Sequence, residues 1–433
     1  MNNLPSDWCS DRLKDVALIN GDSLSANTDP DYEFDYLEIS DVNYYGVIDP
    51  NAIEHLRYED APSRARRRGG RSNTVISSVR PNLQAVAFLQ DGHSDLVCST
   101  GFNVVQAREP KLLPKFAYYV LISEGGRQYF EATAKGVGYP AVDDKDFGAF
   151  SVPLPPLPEQ ERIAAYLDTS CAAIDAAVAA KRRQLETLGA LRKTTIMQAV
   201  TQGLNTACER RASGVDWFGE IPEHWGCEHL KRFAARVQTG TTPPTDTTDY
   251  YFDGTIPWFA PGSYDDDIEL REPRKLINEL AFRDGALRIF PGGTVFLIGI
   301  GATIGKVGLI IEPASCNQQI IGIVSNYRMV PRYLAYQLKI YEDVIPGIAV
   351  ATTLPIFDQV KTGYLPVLQP PREEQQAIYD FLDAKVAETK RTSAAIQHQI
   401  DTLVAYRKSL IHECVTGQRR ITDADVKRVP AHG

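Results

Sequence analysis

The sequence predicts an α+β protein in which two globular α/β domains alternate with two long helices. The helices are expected to pair as an antiparallel coiled coil, giving a pseudo-twofold internal repeat. Three observations carry this. Residues 151–203 and 366–418 are the same block written twice, at a constant offset of 215. The segments that open each half, Leu4-Pro5-Ser6-Asp7-Trp8 and Ile221-Pro222-Glu223-His224-Trp225, match at an offset of 217. Between each opening and each block lie short β-type runs with Gly, Pro and Asn punctuation, followed by one helix.

The blocks come first because they are the clearest. Pro155, Pro156, Glu159, Gln160, Ile163, Leu167 and Asp168 meet Pro370, Pro371, Glu374, Gln375, Ile378, Leu382 and Asp383. At the other end Leu188, Arg192, Lys193, Ile196, Val200 and Thr201 meet Leu403, Arg407, Lys408, Ile411, Val415 and Thr416. Each Pro pair forces an extended approach, and each Glu falls in a first turn, where negative charge is favoured. Ile163, Leu167, Ile174, Leu185, Leu188 and Ile196 recur at helical spacing, as do Ile378, Leu382, Ile396, Ile400, Leu403 and Ile411. A rod of roughly 60 Å with one apolar stripe is not stable alone. The two stripes are therefore expected to bury each other, the alternative being that each folds back on its neighbouring domain.

Residues 1–150 and 221–365 form the two globular domains. Strand-like runs fall at 74–79, 86–89, 103–105, 294–298, 307–311 and 320–324, and helices near 113–123 and 330–340, each with a Pro at or near its start. Residues 204–220 read as a polar connector, and 419–433 as a tail expected to fray. A chain of 433 residues exceeds one core. Its 7 scattered Cys, without a CxxC pair, fit reduced thiols of a cytoplasmic protein rather than a disulfide frame or a zinc site. No export signal is visible at MNNLPSDW, and the apolar window 294–311 is broken by glycines and Lys306, so no membrane is expected. The net charge of −9 argues against a phosphate-coated surface but leaves room for local basic patches.

This layout resembles the specificity (S) subunit of type I restriction–modification systems, over essentially the whole chain. The resemblance rests on the helix starts PLPPLPEQERIAAYLD and LQPPREEQQAIYDFLD, the helix end LRKTTIMQAVTQGL and the linker GVDWFGEIPEHW. The Gly-Thr-Thr-Pro turn at 240–243 and the stretch TVFLIGIGATIGKVGL are also similar to that family's target recognition domains. One departure is Arg372-Glu373 before the second Glu-Gln, where the first block has Leu157-Pro158. The resemblance implies two target recognition domains, each reading half of a split sequence in double-stranded DNA, with the helices acting as spacers. It further implies two docked methyltransferase (M) subunits that bring S-adenosylmethionine for adenine methylation. A motor-nuclease (R) subunit using ATP and Mg would join for restriction. The chain itself would then hold no cofactor or metal and catalyse nothing.

DNA contact needs cations for phosphates and amide, hydroxyl or planar groups for base edges. Arg64, Arg66, Arg67, Arg68 and Arg71 lie within eight positions, with Arg80 shortly after. In the second domain the candidates are Gln238, Thr241, Thr242 and Thr245 on a turn, Arg274 and Lys275, and Lys306. The loops before each block add Lys135 and Tyr139, and Thr352 and Thr353. An Arg run is usually a solvated face and Thr-rich turns are often only turns, so each is weighed against that plainer reading.

Catalytic signatures fail on inspection. The glycines from Gly299 to Gly305 before Lys306 have the wrong spacing for a phosphate loop, and Val307 offers no hydroxyl for Mg. The acidic run Asp265-Asp266-Asp267 reads as a solvated loop. A stand-alone nuclease and a purely structural coiled-coil adaptor remain the alternatives to a DNA-reading subunit.

Overall fold

The computed structural model describes residues 4–43, 46–81, 85–90, 96–205, 207–349 and 355–428. The chain forms two compact units, Met1–Arg182 with Gln397–Gly433, and Arg183–Ile396. Each unit therefore holds one globular domain, the first half of the long helix that follows it and the second half of the other long helix.

In the first unit Cys9–Arg12 pairs antiparallel with Ser151–Leu154, stitching the domain shut just before its helix. One sheet runs in the order Ala17–Ile19, Phe102–Ala107, Thr74–Ser77, Val86–Phe88. The other runs Glu54–Arg57, Glu33–Leu37, Leu96–Ser99, Ala65–Gly69. Leu37 and Leu96 from one sheet share a core with Val75, Phe102 and Val104 from the other. All four residues of Thr74–Ser77 are buried, so the strand shows no alternation of burial between its faces.

The second unit repeats the topology. Gly226–His229 pairs with Pro366–Gln369. A four-stranded sheet runs Ala234–Thr239, Ile320–Ser325, Val295–Ile298, Val307–Leu309. The smaller sheet, Lys275–Ile277, Ile256–Phe259, Ser315–Cys316, keeps the parallel pair seen in the first unit. Among the described residues it has no counterpart of the fourth strand, the one that carries the arginines in the first domain. Pro114–Ile122 and Pro331–Lys339 are the matching domain helices, both with Pro in the first turn.

The blocks at 151–203 and 366–418 begin as strands, and the helices proper are Leu157–Gln202 and Arg372–Val415. Their Glu-Gln pairs do more than sit at a helix start. Glu159 is buried and accepts from Trp8 Nε1 at 3.1 Å, while Glu374 accepts from Trp225 Nε1 at 3.0 Å. Gln160 takes the Leu113 amide at 2.9 Å and donates to the carbonyls of Lys111 and Pro155. Gln375 takes the Val330 amide at 2.8 Å and donates to Arg328 and Pro370. Tyr119 and Tyr336 donate to Asp168 and Asp383, both at 2.6 Å. The opening motif, the domain helix and the block repeat together because these bonds join them.

Both expected uses of the apolar stripe occur. Each helix packs on its own domain through these bonds, and within each unit the beginning of one helix meets the end of the other, which is antiparallel. In the first unit Asp175 pairs with Arg407 at 3.0 Å. In the second, Leu188 and Ile196 line a groove with Leu382 and Val386. Ile163, Leu167, Ile174, Ile196, Ile378, Leu382, Ile396, Ile400 and Ile411 are buried, whereas Leu185, Leu188 and Leu403 are half-buried. A helix covered on one side only keeps such a wet flank. An 18-residue stretch of the first helix is apolar enough to cross a membrane by composition. Yet Asp168 and Asp175 on that helix are ion-paired, and its face packs on protein.

Two expectations are corrected. The connector is a docked hairpin: Arg210–Ala212 pairs with Glu220–Pro222, and Phe218 and Ile221 enter the second unit's core. The tail does not fray through residue 428. Arg420 bridges Asp7 at 2.7 Å and Glu159 at 2.8 Å, and Asp423–Arg428 is helical. The sequence missed both because apolar anchors and buried acids lie far away along the chain.

Candidate nucleic-acid interface

The arginine cluster does not act as one patch, because strand geometry divides it. Ala65–Gly69 is an edge strand paired with Leu96–Ser99, and side chains on a strand alternate between faces. Arg66 lies over the Tyr58 ring at 5.0 Å and Arg68 over Tyr32 at 5.2 Å. Such stacking pre-orders a guanidinium while leaving its edge to donate. Arg67 is turned the other way: its Nη1 donates to the Phe102 carbonyl and to Asn103 Oδ1, and burial lowers its pKa. Arg67 is thus bound to the fold's own acceptors, turned away from the face that carries Arg66 and Arg68. Arg64 reaches Glu38 at 2.8 Å, and Arg71 is exposed just past the strand.

The loop after Glu124–Thr133 brings two candidates to one place and ties a third down. Arg80 lies 4.4 Å above the ring of Tyr139, which is 73% exposed. Lys135 binds Asp143 and Asp146, both at 2.7 Å, and these carboxylates raise its pKa. Its charge is largely matched within the loop, so Arg80 and Tyr139 are the outward-facing pair.

In the second domain the Gly-Thr-Thr-Pro turn is mostly satisfied internally. The Arg288 amide donates to Thr241 Oγ1 at 2.9 Å, and Arg288 Nη1 donates to the Thr239 carbonyl. Gln238, with its amide oxygen turned to accept, meets Arg288 at 3.3 Å. Trp258 Nε1 donates to the Thr241 carbonyl at 2.9 Å, and Thr242 bonds Gln318. Beyond the turn, Thr245 and Lys275 join Thr248, Asp249, Tyr251 and Phe252 around an open pocket. Lys275 Nζ is held 4.7 Å over the Tyr251 ring, with Arg274 exposed beside it. Lys306 lies in the turn between the hairpin strands Val295–Ile298 and Val307–Leu309, which is no strand-to-helix phosphate loop. Thr352 and Thr353 lie outside the described residues.

Asp249, Tyr251, Phe252, Arg288, Tyr32 and Tyr58 were not singled out from sequence. The aromatic run at 250–252 was the available signal. Asp265 and Asp266 of the acidic run are exposed, as a solvated loop would have them, whereas Asp267 pairs with Lys390 at 2.5 Å; Asp266 is 4.0 Å from Arg192. Among the described residues no three His, Cys, Asp or Glu side chains gather to hold a metal.

Two copies of one sheet topology, differing in their surface chemistry, match a known family twice. The profile described as Type I restriction modification DNA specificity domain covers residues 5–187 and 222–402, more than half of the chain. The chain belongs to this family. A putative type I restriction enzyme specificity subunit, MjaX of Methanocaldococcus jannaschii, is 22% identical over 96% of this chain and 95% of its own length. The MjaIX specificity subunit of the same organism is 31% identical over 169 residues, 38% of each chain. A chain from a structure on complex assembly and conformational transition of the type I R-M system aligns with TM-score 0.81 at 21% identity. It covers 97% of this chain and all of that one. The HsdS subunit of Thermoanaerobacter tengcongensis aligns with TM-score 0.53 at 21% identity, over 96% of this chain and 98% of its own. These likenesses place the specificity-subunit fold on the whole described chain.

Proposed function

We propose that this chain is the non-catalytic DNA-reading subunit of a type I complex and recognises a bipartite target in double-stranded DNA. Each globular domain reads one half, and the lengths of Leu157–Gln202 and Arg372–Val415 set the unread gap. The observation that carries this is one scaffold built twice with unlike surfaces. The first domain offers stacked Arg66 and Arg68, the second an open pocket with Thr245, Asp249 and Lys275. A purely structural adaptor would have no use for that divergence. The partners in this reading are two methyltransferase subunits, which supply S-adenosylmethionine and modify adenine. A motor-nuclease subunit using ATP and Mg adds cleavage where present, and the complex works in the cytoplasm.

The test is to expose a randomised DNA library to the chain assembled with methyltransferase subunits and map the modified adenines. Two short motifs at a fixed separation are expected. A single contiguous motif, or modification without sequence preference, would overturn the reading.

A further inference from the structure

Asp249 is the one acid of the open pocket in the second domain, and no hydrogen-bond or ion-pair partner holds it among the described residues. Its neighbours are Thr245, Thr248, Tyr251, Lys275 and Phe252, the last 71% exposed. On the DNA-reading function proposed above, the mixture would be unusual for a surface that faces DNA. A carboxylate there is repelled by phosphates and weakens association unless it accepts a hydrogen bond from a base edge. In the major groove only cytosine N4 and adenine N6 donate, and Asp or Glu pairs with cytosine N4. Lys275, braced over Tyr251 at 4.7 Å, can meet the backbone and offset the repulsion. Phe252 adds an apolar contact.

We infer that Asp249 is a specificity-determining residue, its carboxylate accepting a hydrogen bond from the N4 amino group of a cytosine in the half-site read by the second domain. This rests on the DNA-reading function proposed above. The first domain instead presents Arg66 and Arg68 over Tyr58 and Tyr32 on the edge strand Ala65–Gly69, so the effect belongs to one half-site.

The experiment uses the full chain with Asp249→Asn or Asp249→Ala, assembled with methyltransferase subunits, and maps modified sites in randomised DNA. One position of one half-site should lose its cytosine preference by about tenfold or more. With Asp249→Asn the preference should move towards adenine, which a carboxamide can pair bidentately. With Asp249→Ala the position should become degenerate, and the other half-site should not change. An unchanged motif in both variants overturns the inference while leaving the bipartite reading intact. Loss of all modification by both variants in an assembled complex, with no position relaxed, overturns it too. A wild-type complex with no bipartite motif removes the underlying reading instead.

Discussion

Arg407 on the second long helix holds Asp175 on the first, Nε to Oδ1, at 3.0 Å. At the offset of 215 the same two places carry Arg192 and Lys390, two cations where the first unit has an ion pair. The acidic run of the second domain resolves the conflict, with Asp267 on Lys390 and Asp266 near Arg192. The repeat is thus symmetric in fold but not in charge.

Asp175→Ala should therefore destabilise the first unit more than Asp267→Ala destabilises the second. Arg407 is 16% exposed, so removing its partner strands a mostly buried charge, at about 1–2 kcal/mol once the exposure of Asp175 is allowed for. Lys390 is 64% exposed and can recover water, so about 0.5 kcal/mol is expected at Asp267. Urea unfolding of the two variants checks the order.

Glu124 gives a pH dependence. The hydrogen bond from Arg127 lowers its pKa to about 2, from an ordinary 4.5. A depressed carboxylate contributes stability that is present above its unfolded pKa and is lost as pH falls through the folded one. The contribution should fade between about 4.5 and about 2. Glu124→Gln should remove about 1 kcal/mol at neutral pH and flatten that part of the stability–pH curve.

The tail clasp is testable by Arg420→Met. Glu159 is 4% exposed and, among the described residues, keeps the Trp8 indole as its side-chain partner once Arg420 is gone. A loss of about 1–2 kcal/mol from the first unit is expected in thermal unfolding, the half-exposed guanidinium moderating the full buried-pair cost. The second unit, whose Glu374 is partnered by His224 and Trp225, should be unaffected.

Much of the fold was legible because Pro155-Pro156 and Pro370-Pro371 punctuate the chain and the stripes from Ile163 and Ile378 keep helical spacing. Even the Glu-Gln pairs announced a shared role, although Trp8 and Trp225 as their partners needed the fold. The site was less legible. A run of five arginines does not say which lies on which face of a strand, and that alternation alone separates Arg67 from Arg66 and Arg68. Asp249 and Lys275 line one pocket because the segments that carry them lie side by side, the Asn278 amide donating to the Tyr250 carbonyl. Asp267 found its partner on a helix more than a hundred residues away.

The arginine strand yields a prediction with two distinct outcomes. Arg66→Gln and Arg68→Gln should each weaken DNA binding by the assembled complex and lower the salt slope by about 0.9 for every phosphate left without its cation. Arg67→Gln should leave the slope alone and instead cost about 1–3 kcal/mol of folding stability, from the buried acceptors it abandons. Equilibrium titrations at several salt concentrations, beside thermal unfolding, distinguish them.

The most direct measurement of the spacer role is the separation of the two half-motifs after the helices are shortened. Deleting residues 182–188 and 397–403 together removes two turns from each helix, about 10 Å of rise, and leaves both domains untouched. Mapping of modified adenines should then show the same two half-motifs with a gap shortened by up to about three base pairs. An unaltered gap in an assembled, active complex would contradict the spacer role and the bipartite reading built on it.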